Sequence, residues 1–223
     1  MRFRHEVKHE INNHDMLILR QRLRLVMKPD SYAVNGQYKI RSLYFDNFED
    51  KALREKLDGI NIREKYRMRL YNEDDSVINL ERKFKHGNLG YKTSKKLSRE
   101  QAQAIVNGDI SWMSRSTDEV ILGFYTRIRN DGLKAKVIVD YIREPFVFAP
   151  GNVRVTLDYG IRTSLSCTDF LNSNCAMISI QDSPCILEVK WDNYLPDVVR
   201  DAVQLDSRHS TAFSKYAVSR MYD

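Results

Sequence analysis

The stretch Ile62–Tyr71, "IREKYRMRLY", carries a cation at every second position: Arg63, Lys65, Arg67 and Arg69. Successive side chains of a β-strand point to opposite faces, so these four lie on one side and Ile62, Tyr66, Met68 and Leu70 on the other. One face is apolar and the other strongly positive. In a half-solvated antiparallel sheet such cations simply face water. The same alternation recurs, however, along the rest of the chain. Arg4, Glu6, Lys8 and Glu10 share a face, as do Glu81, Lys83 and Lys85, then Arg154, Thr156 and Asp158, then Glu188 and Lys190. The opposite faces carry Leu80, Arg82 and Phe84, then Val153, Val155 and Leu157, then Leu187, Val189 and Trp191.

Around these strands the punctuation is regular. Residues 4–11 read as a first strand, and Asn12 or Asn13 caps a helix carrying Leu19, Leu23 and Val26 that stops near Lys28-Pro29. "QYKIRSLYFD" (37–46) is a strand, followed by a short helix through Leu53 and Leu57 and then the strand 61–72. Residues 77–85 and 89–97 form a hairpin across His86-Gly87-Asn88. Ser98 and Gln101 match a capping box ahead of Ala102, Ile105 and Val106, with Gly108 ending that helix, and a further helix covers about 117–130. Strands follow at 135–147 and 153–159, turned by Pro150-Gly151. The polar, almost uncharged stretch 163–183 reads as a long loop or an irregular lid. A strand at 186–191, a helix started by Pro196 and a helical "FSKYAVSRMY" complete the chain.

The 223 residues are 42% hydrophobic, enough for a real core, and 30% charged. With 36 Lys+Arg against 30 Asp+Glu the net charge is +6, so any anion bound here also meets carboxylates, unlike on a bare nucleic-acid-binding tail. The basic residues alternate with acids, and no nucleic-acid motif is present. The start, Met1 to Lys8, is too charged for a signal peptide, and no run approaches the ~20 apolar residues of a spanning helix; a cytoplasmic chain without its own membrane anchor is expected. Cys167, Cys175 and Cys185 form no CxxC pair and leave one over, so reduced, inert thiols are expected. His5 and His9, four apart in a strand, would be ~13 Å apart, too far for one zinc. No GxGxxG or GxxxxGK[ST] is present to hold a nucleotide on a glycine-rich loop. No composition break or internal repeat divides the chain, so 1–223 reads as one domain.

About eight strands linked mostly by hairpins, with helices before, between and after, favour a closed antiparallel barrel with helices packed outside over an open α/β sheet. Two arrangements fit the alternation. In one, the apolar faces point in and the charged faces out. In the other, the apolar faces pack outward against helices and the charged faces line a wet interior. Facing cations would there repel unless a polyanion sat among them, held by forked Arg and compact Lys contacts, with Glu6, Glu81 and Glu188 as oxygen ligands for Mg²⁺ or Mn²⁺. Periodicity alone does not choose.

The motifs "RHEVKHEI", "IRSLYFDN", "REKYRMRLY", "LERKF" with "YKTSKK", "VDYIRE", "VRVTLD", "ILEVKW" and "FSKY" span residues 4–220. In that order the chain resembles the VTC domain, the polyphosphate polymerase domain of the vacuolar transporter chaperone complex. That domain is one of the triphosphate tunnel metalloenzymes, alongside the CYTH proteins. The resemblance implies an α+β fold built on an eight-stranded antiparallel β-barrel tunnel with helices outside, in which a triphosphate binds with Mn²⁺ or Mg²⁺. It casts Lys8, Arg67, Arg69, Lys83, Arg143, Arg154, Lys190 and Lys215 as phosphate-handling catalytic residues. Arg4, Lys65, Lys85, Lys92 or Lys95, and Ser214 are substrate-binding candidates; Glu188, with Glu6 and Glu81, is the metal-ligand candidate. One departure stands out: many CYTH relatives begin ExExK, whereas here the first acidic position is Arg4, which leans toward the polymerase branch.

The implied activity is transfer of the ATP γ-phosphoryl group to a growing polyphosphate chain, with ATP and polyphosphate as partners and no nucleic acid. Two alternatives stay open: hydrolysis of a triphosphate in the same tunnel, and a non-catalytic module binding polyphosphate or an inositol polyphosphate. Association with a membrane partner and the oligomeric state also stay open.

Overall fold

The computed structural model describes residues 4–222 apart from 88, 182–183 and 206–207. Met1 to Phe3 of the charged start, Asn88 of the hairpin turn and Ser183 at the end of the polar stretch therefore lie outside the described residues. The chain runs β1 (His5–Ile11), α1 (Asn13–Val26), β2 (Lys28–Pro29), β3 (Tyr38–Asp46), α2 (Lys51–Leu57), β4 (Ile62–Tyr71), β5 (Asp74–His86), β6 (Leu89–Leu97), α3 (Arg99–Val106) and α4 (Glu119–Asp131). It continues with β7 (Lys134–Phe148), β8 (Val153–Thr163), β9 (Ile178–Ser179), β10 (Cys185–Trp191), α5 (Asp197–Val203) and α6 (Lys215–Ser219).

This is a mixed α+β fold on one antiparallel sheet, ordered β1-β10-β8-β7-β3-β4-β5-β6, with β2 added to β7 and β9 to β8. The expected closed eight-stranded barrel needs correction. Among the described residues no ladder joins the two end strands; a single bridge, from Arg4 just before β1 to Gly90 of β6, spans the seam. Below it the free edge of β1 is taken up by the C-terminal segment, through a His9–Ser210 bridge and a Thr211 N–H donated to the Lys8 carbonyl at 2.8 Å. The two-residue strands β2 and β9 went unread because two residues carry no periodicity.

Helix starts follow the capping chemistry. The Asn12 side chain accepts from the Asp15 N–H while Asp15 reaches back, and Ser98 and Gln101 do the same for α3. The helical tail expected from the sequence is present from Lys215: α6, capped by Ser214, runs on into a 3₁₀ turn over Arg220–Tyr222.

The helices decide which way the sheet faces. Leu19 and Leu23 of α1 and Val199 of α5 pack on Val153, Val155, Leu157, Leu187 and Val189. Ala102 and Ile105 of α3 and Phe124 of α4 pack on Leu43, Met68, Leu70, Ile78 and Leu80. Gly123 lets α4 approach β4 closely, since a Cβ there would lie 2.9 Å from Tyr66 Oη. Both apolar layers lie on the outer face of the curved sheet. The charged faces of β1, β4, β5, β8 and β10 therefore turn inward, the second of the two arrangements.

The interior is not polar throughout. Tyr38, Ile40, Val137, Val139, Ile161 and Ile180 form a third buried cluster on the inner face, closed by Tyr216 of α6. The Tyr216 hydroxyl donates to Asp46 at 2.7 Å, and Asp46 also accepts the N–H groups of Asn47, Ala52 and Leu53, which ties α6 to the start of α2. Two other expectations change here. The polar stretch after Thr163 is no lid: it packs outside over its first part, burying Phe170 and Cys175 against the α3–α4 layer, its end adds Ile180 to the third cluster, and none of its described residues lines the charged part of the interior. Its fold also brings Cys167 and Cys175 together as a disulfide, with Cα atoms 6.7 Å apart, so only Cys185 is a free, buried thiol. Spacing in sequence could not show that this loop doubles back.

Candidate functional site

The inner face encloses a cavity of about 780 Å³. Fourteen of its lining residues are Lys or Arg and three are Glu. The register sets the cations in rows. Lys65 lies opposite Lys83, and Lys83 opposite Lys92, on three neighbouring strands. Like charges directly opposed across strands destabilise a sheet, so this row asks for an anion.

Carboxylates sit between the rows. Glu81, 2% exposed, accepts from Arg67 Nε at 2.7 Å and from Lys92 Nζ at 2.7 Å. Asp158, 1% exposed, takes a two-pronged contact from Arg143 at 2.6 and 2.7 Å and one from Lys215 at 2.6 Å. Glu6 and Glu188 share two lysines. Lys8 Nζ is 3.4 Å from Glu6 and 3.5 Å from Glu188; Lys190 Nζ is 3.5 Å from Glu6 and 3.0 Å from Glu188. Lys83 reaches Glu6 at 3.2 Å and Arg143 reaches Glu188 at 3.4 Å. Two tyrosines complete the wall. Arg69 donates to Tyr141 Oη at 2.9 Å, the Lys215 ammonium lies 4.5 Å from the Tyr141 ring centroid, and Arg67 donates to Tyr44 Oη at 3.3 Å.

The field in the cavity is legible in its titrating groups. Burial and neighbouring Glu188 push the Glu6 carboxyl up, but Lys83, Lys190 and Lys8 outweigh them and hold it at about 2. Burial likewise opposes ionisation of Asp158, which Arg143 and Lys215 hold at about 2. Glu188 is held well below the carboxylate range, Lys190, Lys8 and Arg143 overcoming its burial. The lysines show the opposite strain. Burial, with repulsion from Lys8 and Lys190 only partly offset by Glu6, brings Lys83 down to about 8. Lys65 falls well below the ordinary lysine value, through burial first and then Lys83, Arg67 and Lys8. Its ammonium lies 5.7 Å from the Tyr44 ring centroid.

Of the candidates from sequence, Lys8, Arg67, Arg69, Lys83, Arg143, Lys190 and Lys215 converge on this ring, with Lys65 and Lys92 beside it and Lys85 farther along β5. Arg154 lines the cavity but is tied to Asp30 at 3.0 Å, and Arg4 is tied to Asp192 at 3.0 Å and to the Asn152 carbonyl. Ser214 lines it while its Oγ caps α6, accepting from the Ala217 N–H at 3.3 Å. Lys95 is placed elsewhere. It lies on the outer face of β6, opposite Leu80, and pairs with Asp118 at 3.2 Å, which settles the open register in favour of Lys92.

For a divalent cation, Glu6 and Glu188 fit: they lie in one cluster with hard oxygen donors, and Mg²⁺ and Mn²⁺ commonly take one or two carboxylates, with phosphate and water oxygens completing the shell. Glu81 does not fit, since its oxygens are held at 2.7 Å by Arg67 and Lys92, whereas the cations around Glu6 and Glu188 stand off at 3.0–3.5 Å. Among the described residues no group of three or more His, Cys, Asp or Glu converges on one point, so phosphate and water would have to supply the other ligands. Sequence reasoning did not assign roles to Asp158, Tyr44 or Tyr141. Asp158 was visible in the alternation with Arg154 and Thr156; the tyrosines carry no signal that separates them from core aromatics.

Comparison with known proteins agrees with this architecture. The chain aligns with the PH1012 protein from Pyrococcus horikoshii OT3 at 12% identity and a TM-score of 0.50, over 96% of this chain and 98% of that one. It aligns with a candidate adenylate cyclase from Bacillus halodurans at 14% identity and a TM-score of 0.50, over 85% of this chain and 82% of that one. At these identities the likeness shows the fold alone. Among curated proteins none matches by sequence. The model of the VTC domain matches residues 3–222, nearly the whole length, and the chain belongs to the VTC domain family.

Proposed function

We propose that the chain is an ATP-dependent polyphosphate polymerase. A terminal oxyanion of the acceptor chain attacks the ATP γ-phosphorus, the bond to the β,γ-bridging oxygen breaks, and ADP leaves with that electron pair. Such transfer passes through a loose transition state, so the protein's task is alignment and charge neutralisation. Arg67, Arg69 and Lys92 around Glu81, Arg143 and Lys215 around Asp158, and Lys8, Lys83 and Lys190 around Glu6 and Glu188 would together hold the phosphates. Glu188 and Glu6 would hold Mn²⁺ or Mg²⁺, which would supply screening of the phosphate charge.

One observation supports an acceptor that carries its own oxyanion. Each carboxylate of the inner ring, Glu6, Glu81, Asp158 and Glu188, is ion-paired and held far below neutrality, so none is suited to take a proton from an attacking water. A phosphate terminus brings its own oxyanion and needs no base. The reading places ATP and polyphosphate as partners and the domain on the ATP-rich cytoplasmic side. Among the described residues no helix is long and apolar enough to cross a membrane.

The test is to incubate the protein with ATP and Mn²⁺ or Mg²⁺ and resolve long polyphosphate from free phosphate, with Glu188→Gln and Arg67→Ala alongside. Polymer from the unaltered chain, lost in both variants, is expected. Free phosphate in place of polymer would make it a triphosphatase, and neither product, with polyphosphate still bound, would leave a polyanion-binding module.

A further inference from the structure

Outside the ring of paired charges, the cavity carries a second group of cations. Arg63 and Lys85 lie directly opposite each other on β4 and β5, beside the strand ends at Ile62 and His86. Lys56 joins them from α2: burial and then Arg63, Lys8 and Lys85 lower its pKa. Lys85 is lowered by burial first and then by Arg63. All three line the cavity and are half-buried. Their surroundings differ from those of the inner ring. Arg63 donates to the Ile60 carbonyl at 3.1 Å. Glu6 and Glu55 are the carboxylates whose field reaches the group, and among the described residues neither forms an ion pair with any of the three. Three cations thus converge at the rim without the compensation every inner cation except Lys65 receives. Folding alone does not favour that arrangement, because opposed like charges cost stability and nothing apolar is gained by it.

The rim also continues a path. Arg63, Lys65, Arg67 and Arg69 follow one another on the inner face of β4, at about 7 Å per step, for a span of roughly 20 Å. That is longer than the inner ring needs for one triphosphate.

We infer that Lys56, Arg63 and Lys85 form a distal anion subsite that holds the chain of a long linear polyphosphate as it leaves the inner ring past the end of α2. This rests on polyphosphate being the ligand of the ring, but not on the chain being made there. The subsite is selective for length: a ligand of three phosphates fills the inner ring and does not reach the rim, whereas a long chain engages both. It also gives the cavity a direction, with the chain leaving on the α2 side.

The experiment compares tripolyphosphate with polyphosphate of about a hundred units, measuring Kd for each across a salt series with the unaltered chain and with Lys56→Ala/Arg63→Ala. The variant is expected to bind tripolyphosphate within about twofold of the unaltered chain, which also reports that it is folded. The long chain should bind it tenfold or more weakly, with a shallower dependence on salt because fewer contacts displace counterions. Equal loss on both ligands, or no loss on either, would overturn the subsite. Failure to make polymer from ATP would refute the proposed reaction and leave this comparison readable; polymer synthesis with no length-dependent loss would do the reverse.

Discussion

Binding of long polyphosphate should draw protons from solution at pH 8. Lys83, brought down from 10.5 to about 8 by burial and by Lys8 and Lys190, is about half protonated there in the free protein. Lys65 is likewise held well below the ordinary lysine value, by burial first and then by Lys83, Arg67 and Lys8. A bound polyanion supplies the missing counter-charge, so Lys83 alone should take up roughly 0.5 proton per site. The internal phosphates of a long chain do not titrate in this range, so the protons enter the protein. Calorimetry in buffers of different ionisation enthalpy counts them directly. Lys83→Arg keeps the charge, cannot titrate, and should remove about half a proton from the count. Zero uptake by the unaltered chain, or an unchanged count in Lys83→Arg, would refute the reasoning. The same displacement has a consequence for stability. A lysine of lower pKa in the fold than in the unfolded chain favours the unfolded chain wherever it is protonated. The penalty is full below about pH 8 and relieved as pH rises to about 10.5. The drop is worth about 3 kcal/mol, and about half of that after allowing for a side chain 29% exposed. The ligand-free protein should therefore resist urea better at pH 10 than this charge balance allows at pH 7, a gain that Lys83→Met abolishes.

Two further outcomes are expected. Asp158→Asn leaves Arg143 and Lys215 without their buried carboxylate and should cost about 3–5 kcal/mol in urea unfolding at pH 7. Because Asp158 is held at about 2 against an ordinary 3.8, its contribution is present above about pH 4 and fades as pH falls through 2, so the gap between the two proteins should narrow there. Lys95→Ala removes a half-exposed ion pair with Asp118 and should cost under about 1 kcal/mol with polyphosphate affinity unchanged, whereas Lys92→Ala should weaken that affinity several-fold.

Much of the site could be read from alternation alone, because a period of two fixes the face of every residue in a strand once one is known. That is why Arg67, Arg69, Lys83 and Lys190 fall together. The register between strands is a different matter. "YKTSKK" offers lysines of both parities, and only its pairing with β5, Lys92 against Lys83, decides between them. Closure was also beyond reach: alternation is the same in a strand whether its far neighbour is bonded or not, and the edge of β1 is taken up by Ser210 and Thr211, which carry no strand signal. The Cys167–Cys175 pairing depends on how the loop folds back under Phe170, again a tertiary event.

The direction in which the sheet faces could have been argued from the helices. Helix α1 buries Leu19 and Leu23, α3 buries Ala102 and Ile105, and α4 buries Val120, Ile121 and Phe124. Each is a single apolar stripe on an otherwise polar helix, so each needs one apolar surface. If the strands turned their apolar faces inward, the helices would meet the faces carrying Arg67, Lys83 and Glu188, and every stripe would be buried against charge. Turning the sheet over satisfies stripes and strands together, and it leaves the cations facing one another. That repulsion is modest in water and grows as the lumen dries. The carboxylates Glu6, Glu81, Asp158 and Glu188 offset it within the ring. Among the described residues they form no ion pair with Lys65, Arg63, Lys85 or Lys56, though Lys65 and Lys85 feel the more distant field of Glu6, and it is along that weakly compensated path that a polyanion gains most by binding.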